Sequence, residues 1–494
     1  MFRLSKVISF SISFLCFSAS YSQQSFCKFT PEIKAIYNTI LQLDLEQAKV
    51  ELGNKPIKDP NKAYLLLENS IDFYKYFILE ETPDLEASKK QKELRLRTIE
   101  IAALPIEWSR FLKAELLLQW AMIHVKQGDF LIGFQNFREA VSLLEANVEQ
   151  YPDFKYSYKS LGILHALLAG IPESFKWAAQ LIGLKGHLVT GKEELQGFIM
   201  FAETNQDLFL EEAYGAMSFL ISYLENKPEQ GYNYWIKKMG LKEPNPLYAF
   251  VQSRLAIRAN YNDAAINILQ SLPIEERNKL PYLHFLLGLV KLQKLDVNAE
   301  PSFKFYLQQY KGQSHLKECY QKLAWSSLIH GNRALYHLYI SKCLTQGIQV
   351  SDEDKQAYLE ASRKQKPDSI LLRARLLCDG AYVGKAWETL LKVKDDYYKN
   401  PVFQLECAYR LGRIFQLKKE YAQALIHFED AVHFDLEERT YMSCNALLQM
   451  GLIKEALNQK NEARTYFKSV LDRKPDQYQR SMQQKAKSGL SRLN

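Results

Sequence analysis

Hydrophobic residues in the stretch 405–438 recur at the spacing of two paired helices. The first stripe, at i, i+3, i+4 and i+7, comprises Ala408, Leu411, Gly412 and Phe415. After a polar break, the second stripe comprises Tyr421, Ala424, Leu425, Phe428, Ala431 and Val432. This spacing places each stripe on one face of an α-helix. We predict a helical hairpin in which small residues let the helices approach and aromatic rings fill the remaining space.

A second unit, residues 444–477, repeats these offsets. Gly412 and Ala424 are twelve residues apart, as are Gly451 and Ala463, and an aromatic residue follows each alanine by four positions. The pattern resembles the roughly 34-residue tetratricopeptide repeat. The resemblance implies an all-α fold of helical hairpins stacked into a right-handed α-solenoid.

Weaker versions of the hairpin pattern precede these two units. They cover residues 31–53, 121–140, 247–270, 281–309, 315–346 and 374–393. After the last unit, residues 478–493 carry one apolar face, and we predict that they form a C-terminal capping helix, because the last repeat of a solenoid has no neighbour to bury it. Pro244 and Pro246 interrupt helix continuation. We therefore divide the chain into an N-terminal degenerate helical domain, 23–246, and a C-terminal solenoid, 247–494.

The stretch 158–195 carries a second, more specific pattern. Its spaced residues are Gly162, Pro172, Gly183, Gly186, Gly191 and Leu195. They resemble a signature in the eukaryotic tetratricopeptide family linked to inclusion-body clearance and in bacterial look-alikes, although Leu184 replaces an aromatic residue and His187 an acidic one. Within it, residues 186–192 match G-x-x-x-x-G-K, but Glu193 stands where a phosphate-binding loop needs Ser or Thr. We predict a turn between helices there.

The N-terminus has the pattern of a secretory signal peptide. Arg3 and Lys6 precede an apolar run over 7–17, and small residues precede Gln23. The run is shorter than the ~20 residues that span a bilayer. We predict that residues 1–22 are removed and that the protein reaches the periplasm or envelope of a Gram-negative bacterium, or is secreted.

Charge and composition restrict the class of partner. The chain has 64 basic and 56 acidic residues, a net charge of +8 that cleavage reduces to +6. Because both signs are mixed along the chain, we do not expect a nucleic-acid partner. No later stretch is apolar for the ~18 residues that indicate a membrane segment. The cysteines that follow residue 22 have no CxxC spacing, and we interpret them as core residues whose disulfide pairing the sequence leaves open.

We find no sequence motif for catalysis, a metal or a cofactor. HExxH, GxSxG and GxGxxG are absent, and His427 and His433 are six residues apart, which does not place them on one helical face. We therefore predict a non-enzymatic protein without cofactors. The alternative is an exported all-α enzyme such as a helical-toroid glycosidase, whose paired carboxylates a sequence cannot locate.

The resemblance implies that a groove lined by the first helix of each hairpin binds partners. Groove positions carried onto the last two units are Glu406, Tyr409, Arg413, Gln416, Asn445, Leu448, Leu452 and Glu455. Arg413 is placed to hold a peptide carboxylate, and Tyr409 to stack beside it. We predict an exported scaffold that binds a protein or peptide partner.

Overall fold

The computed structural model describes residues 25–168, 186–240, 242–349, 351–363, 366–393, 399–435, 440–475 and 477–493. Within these residues the only β-type pairing is an isolated bridge between Phe26 and Asn61, and the rest of the regular structure is helical. The all-α prediction is confirmed. The predicted signal peptide, residues 1–22, lies outside the described residues.

The N-terminal half is a series of helices in the following order. They are α1 (Pro31–Leu41), α2 (Leu45–Leu52), α3 (Lys55–Lys58), α4 (Ala63–Phe73), α5 (Leu85–Ile101), α6 (Ile106–Gln127), α7 (Phe130–Gln150), α8 (Tyr156–Leu168), α9 (Leu188–Asn205), α10 (Leu210–Phe219) and α11 (Pro228–Met239). Single π-helical turns, Tyr74–Ile78 and Leu220–Leu224, extend α4 and α10. The predicted start of α1 is confirmed, since Thr30 caps it and Pro31 is its first residue.

The C-terminal half continues in the same manner. Its helices are α12 (Pro246–Arg258), α13 (Asn262–Ser271), α14 (Ile274–Asn278), α15 (Tyr282–Gln293), α16 (Glu300–Gln309), α17 (Leu316–Ile329), α18 (Arg333–Thr345), α19 (Asp352–Ser362), α20 (Ser369–Asp379), α21 (Val383–Leu390), α22 (Pro401–Leu417), α23 (Tyr421–His433), α24 (Tyr441–Ala456), α25 (Lys460–Asp472) and α26 (Gln479–Leu493). Neighbouring helices pack in pairs, as the hairpin pattern predicts.

Eight turns between paired helices, in the part of the chain that the structure describes, share one backbone feature. A residue with positive φ stands two positions before the second helix of a pair, or before the short 3₁₀ turn that opens it. These residues are Leu43, Gly128, Asn260, Leu295, Gly331, Ala381, Lys419 and Asn458. A left-handed residue ends a helix and redirects the chain. The shared turn shows that the weak N-terminal units are built like the clear C-terminal ones.

Glycine lets the two helices of the clearest hairpins come into contact. A Cβ atom on Gly412 would lie 2.5 Å from the Phe428 ring, and one on Gly451 would lie 2.6 Å from the Phe467 ring. A Cβ on Gly489, in α26, would lie 2.5 Å from the other edge of Phe467. The last helix therefore covers the last repeat, and the predicted cap is present.

The glycines of the central segment make a closer contact still. A Cβ on Gly162 would lie 2.7 Å from the Gly191 carbonyl oxygen, and a Cβ on Gly191 would lie 2.5 Å from that of Gly162. The two glycines thus let α8 and α9 meet backbone to backbone. Gly191 lies within α9 and the neighbouring Lys192 pairs with Glu225, so the G-x-x-x-x-G-K stretch does not form a phosphate-binding loop. Pro172 and Gly183 lie outside the described residues.

A buried ion cluster ties the N-terminal helices together. Lys159 donates to Glu115 at 3.0 Å and to Glu212 at 3.1 Å, and its ammonium lies 4.4 Å from the centre of the Phe209 ring. Burial alone would lower the pKa of Lys159, but the two carboxylates outweigh it and raise the pKa above its ordinary value. Because Tyr37 also donates to Glu212, the cluster joins α1, α6, α8 and α10.

Contacts cross the division that we place at Pro246. Tyr248 donates to Glu211, and Lys279 pairs with Asp44 at 2.8 Å. Glu80 accepts from the Ser314 backbone at 3.2 Å. The described parts of the two halves therefore pack against each other.

The six described cysteines are buried free thiols, as expected of core residues. Burial raises the pKa of Cys444 to about 11. The thiolate is the reactive form, so these side chains are protected from exchange in the folded protein.

We expect Gly412→Leu to lower the unfolding free energy by about 1–3 kcal/mol, because the new side chain overlaps the Phe428 ring. Gly197→Ala is the matched control, since a Cβ there meets no atom within 4 Å. Urea unfolding followed by circular dichroism measures both. Equal midpoints for Gly412→Leu and the wild type would show that α22 and α23 do not pack as described.

We expect Lys159→Met to cost about 3–5 kcal/mol, because it leaves the buried Glu115 carboxylate without its cation and removes the partner of Glu212. The control is Lys113→Met, which breaks the more exposed pairs with Glu100 and Glu139 and should cost less than about 1 kcal/mol. Thermal unfolding distinguishes the two. A similar loss for both variants would contradict the role of the buried cluster.

Candidate partner-binding groove

The predicted groove residues lie on α22 and α24, the first helices of the last two hairpins. Six of them are partly exposed: Glu406, Arg413, Gln416, Asn445, Leu452 and Glu455. Tyr409 and Leu448 are instead in the core, at 3% and 0% exposure. For these two the prediction of a surface contact requires correction, because their positions on the helix face the partner helix.

Gln449 takes the place that the sequence assigned to Leu448. Its Oε1 atom accepts from Arg413 Nη1 at 3.1 Å and from Gln416 Nε2 at 2.9 Å. Its Nε2 atom donates to Asn445 Oδ1 at 3.0 Å. Gln449 lies one position beyond Leu448, which is ~100° of rotation on an α-helix. At this point the exposed contact therefore moves by one residue, whereas Asn445, Leu452 and Glu455 are partly exposed.

The hydrogen-bonded chain continues inward to Tyr409. Asn445 Nδ2 donates to the Tyr409 hydroxyl at 2.6 Å. The polar surface of α22 and α24 is therefore a connected ladder of amides that ends on a buried tyrosine. Amide groups of this kind can pair with the backbone of an extended peptide.

Cations and aromatic rings alternate along the first helices of successive hairpins. Arg375 lies 4.5 Å from the centre of the Trp325 ring and 5.9 Å from that of Tyr441. Arg410, which the sequence analysis did not select, lies 5.0 Å from the Tyr409 ring and donates to the Tyr441 hydroxyl at 3.3 Å. These contacts, between buried or partly buried side chains, join α17, α20, α22 and α24. We call the surface formed by the first helices of the hairpins the inner face.

The last helix returns to the N-terminal half. Arg492 binds Glu455 through two hydrogen bonds of 2.6 Å and donates to the Leu224 carbonyl at 2.8 Å. Asn226, two residues after Leu224, accepts a hydrogen bond from Arg258 at 2.7 Å. Residues distant in sequence thus bring two guanidinium groups to one turn, and Glu455, a predicted groove residue, is neutralised by Arg492.

Three cations of this region have no carboxylate partner among the described residues. Arg258 contacts Asn226 and the Tyr223 ring, and Arg413 contacts two amides. Lys485 of α26 makes neither an ion pair nor a hydrogen bond with a described residue. We call Arg258, Arg413 and Lys485 the cation cluster.

The cations of this cluster act on one another. Enclosure by the surrounding helices and the nearby Arg258 and Arg413, with Glu353 opposing them, together lower the pKa of Lys485 to about 8. Enclosure together with Arg413 and Arg492 lowers the pKa of Arg258 as well. Like charges held together in this way favour the binding of an anion.

We expect Tyr409→Ala to destabilise the protein by about 3 kcal/mol or more, because it empties a buried site between the last two hairpins. Arg413→Gln, on the exposed side of the same helix, should change stability by less than about 0.5 kcal/mol. Thermal melting compares the two. If Tyr409→Ala leaves the melting temperature unaltered, Tyr409 is an exposed groove residue and not a core residue.

A sequence comparison with known repeat families supports the repeat architecture. Residues 445–476 match the sequence model of the tetratricopeptide repeat. Similar solved structures include the human IFIT1 dimer with PPP-AAAA (13% identity, 89% of each chain covered, TM-score 0.36) and yeast Tom70 (13% identity, 89% of this chain and 90% of that one, TM-score 0.35). The hetero-tetramer of Cut9 and Hcn1 matches at 11% identity over 92% and 96% of the chains, with a TM-score of 0.26. These values carry no conclusion about partners.

No curated protein sequence matches this chain. Among the described residues, no helix is both long and apolar enough to cross a membrane. The expectation that nucleic acid is not a partner remains a prediction. The matched repeat and the recurring hairpin turn together identify the chain as a helical-repeat protein that carries a tetratricopeptide repeat.

Proposed function

We propose that this protein is a non-catalytic scaffold whose inner face binds an acidic segment of a polypeptide partner. The observation that carries the proposal is the cation cluster, in which three side chains from α12, α22 and α26 have no carboxylate partner among the described residues. Such a group of uncompensated cations stabilises a bound anion through complementary charge. The partner supplies the missing carboxylates.

The amide ladder favours a polypeptide over other anions. Asn445, Gln449 and Gln416 lie beside Arg413 and present donors and acceptors in a row. An extended peptide has backbone groups that pair with such a row while its acidic side chains reach the cations. A nucleic acid would favour exposed rings for base stacking, whereas Tyr409 is buried here.

We propose further that the protein acts outside the cytoplasm. The support is the signal-peptide pattern of residues 1–22. N-terminal sequencing of the protein from cell fractions tests this, with Gln23 as the expected first residue of envelope or secreted material. A cytoplasmic protein that begins at Met1 would contradict it.

We expect a fluorescein-labelled octaglutamate peptide to bind the wild-type protein, and the affinity to fall at least about tenfold in Arg413→Gln/Lys485→Gln. The control is Lys419→Gln/Lys468→Gln, which removes two exposed cations from the turn and from the second helix of a hairpin. Fluorescence anisotropy measures binding, with octalysine and an eight-nucleotide oligoadenylate for comparison. Equal losses in both double variants, or tighter binding of the oligoadenylate, would contradict an acidic polypeptide partner.

The affinity for octaglutamate should also depend on pH. An anion binds more tightly when Lys485 is protonated. The affinity is therefore highest below the Lys485 pKa of about 8 and falls as the pH rises from 7 to 9. In Lys485→Gln the affinity should be lower at pH 7 and nearly constant over this range. A wild-type affinity that does not change between pH 7 and 9 would remove Lys485 from the site.

A further inference from the structure

A second concave site lies away from the cation cluster, where the N-terminal helices meet α12 and α15. It is a cavity of about 560 Å³. Its walls are mainly aromatic and aliphatic, and include Phe73, Phe77, Phe219, Trp235, Phe250 and Tyr282. Pockets of ~300–1,000 Å³ with apolar walls and a few convergent polar groups are typical small-molecule sites.

Nearly all of the charged groups in the cavity wall are paired with other groups of the protein. The pairs are Glu80 with Lys126, Glu211 with Lys242, Glu212 with Lys159, and His315 with Glu318. Because the charges of these groups are compensated within the protein, they do not require a charged ligand.

Arg254, in contrast, has no such partner among the described residues. It lies in the cavity wall on α12 and is partly buried, and it forms no hydrogen bond or ion pair with a described residue. Glu318 and Glu353 attract it only from beyond ion-pair distance, and Glu318 is already paired with His315. Leaving a partly buried guanidinium without hydrogen-bond acceptors is unfavourable, so an anionic group at this point of the cavity would be stabilised.

The backbone around the cavity is also unusual. Two π-helical turns occur among the described residues: Tyr74–Ile78 contributes to the cavity wall, and Leu220–Leu224 directly follows Phe219, a residue of that wall. Single π-helical turns within α-helices are rare and occur frequently at functional sites. This observation is independent of the charge argument and points to the same place.

We propose that the cavity binds an amphiphile with an apolar body and a single anionic head, whose head pairs with Arg254. The apolar body lies against the aromatic wall, where its burial supplies most of the affinity. The head supplies the acceptors that Arg254 lacks. This site is separate from the acidic-peptide site and does not depend on it.

Calorimetric titration of the purified protein tests the proposal with three probes below their micelle concentrations: dodecanoate, dodecyl phosphate and the neutral dodecanol. We expect saturable binding of at least one anionic probe. Arg254→Gln should weaken that binding at least about tenfold and leave the dodecanol affinity nearly unchanged. Arg254→Lys, which keeps the positive charge, should retain most of it. The two anionic probes distinguish a carboxylate from a phosphate head.

Two further variants control for folding and for the location of the site. Arg333→Gln removes an exposed arginine of α18 that is not part of the cavity wall. It should leave all three affinities unchanged. Gly215→Leu should block every probe by filling the cavity, since a Cβ atom there has room and meets only Trp235, at 3.6 Å. Absence of saturable binding to the wild type, or equal effects of Arg254→Gln and Arg333→Gln, would overturn the proposal.

Discussion

The close approach of paired helices is the constraint on which the rest of this structure depends. Where Gly412 or Gly451 faces a phenylalanine ring, no Cβ atom fits between them. Interiors packed at this density tolerate little change in volume. The pairing fixes which face of each first helix turns inward, and stacking of the pairs then aligns those faces into the inner surface. The proposed acidic-peptide site lies on this inner face.

The sequence predicts this packing well where small and aromatic residues keep their spacing. The hairpins of α22 to α25 and the cap α26 follow from Gly412, Gly451 and their partners. The shared turn is harder to predict, because only Gly128 and Gly331 among its left-handed residues are glycines, and Lys419 or Ala381 carries no local signal for that conformation. At Leu448 the predicted groove contact belongs to Gln449 instead, since a fixed family offset does not reveal which side chain of this particular helix is buried.

The sites themselves could not be predicted from local pattern. Arg258, Arg413 and Lys485 belong to three separate helices, and the contacts of Arg492 and Arg258 at residues 224–226 bring the two halves together there. Similarly, the sequence does not distinguish Arg254 from other helical arginines. It stands out only because the structure shows that the charged groups around it are already paired. Such sites depend on which charges remain uncompensated after folding, and that is a property of the assembled structure.

The central claim is that partners bind the inner face. It is tested most directly by placing a photo-activated cross-linking amino acid at Gln449, on the exposed side of α24, and separately at Ile426, on the exposed side of the second helix α23. Mass spectrometry of the envelope fraction then compares the adducts. The account predicts that Gln449 gives an adduct with an acidic polypeptide segment and that Ile426 does not. The same adduct from Ile426, with none from Gln449, would contradict it.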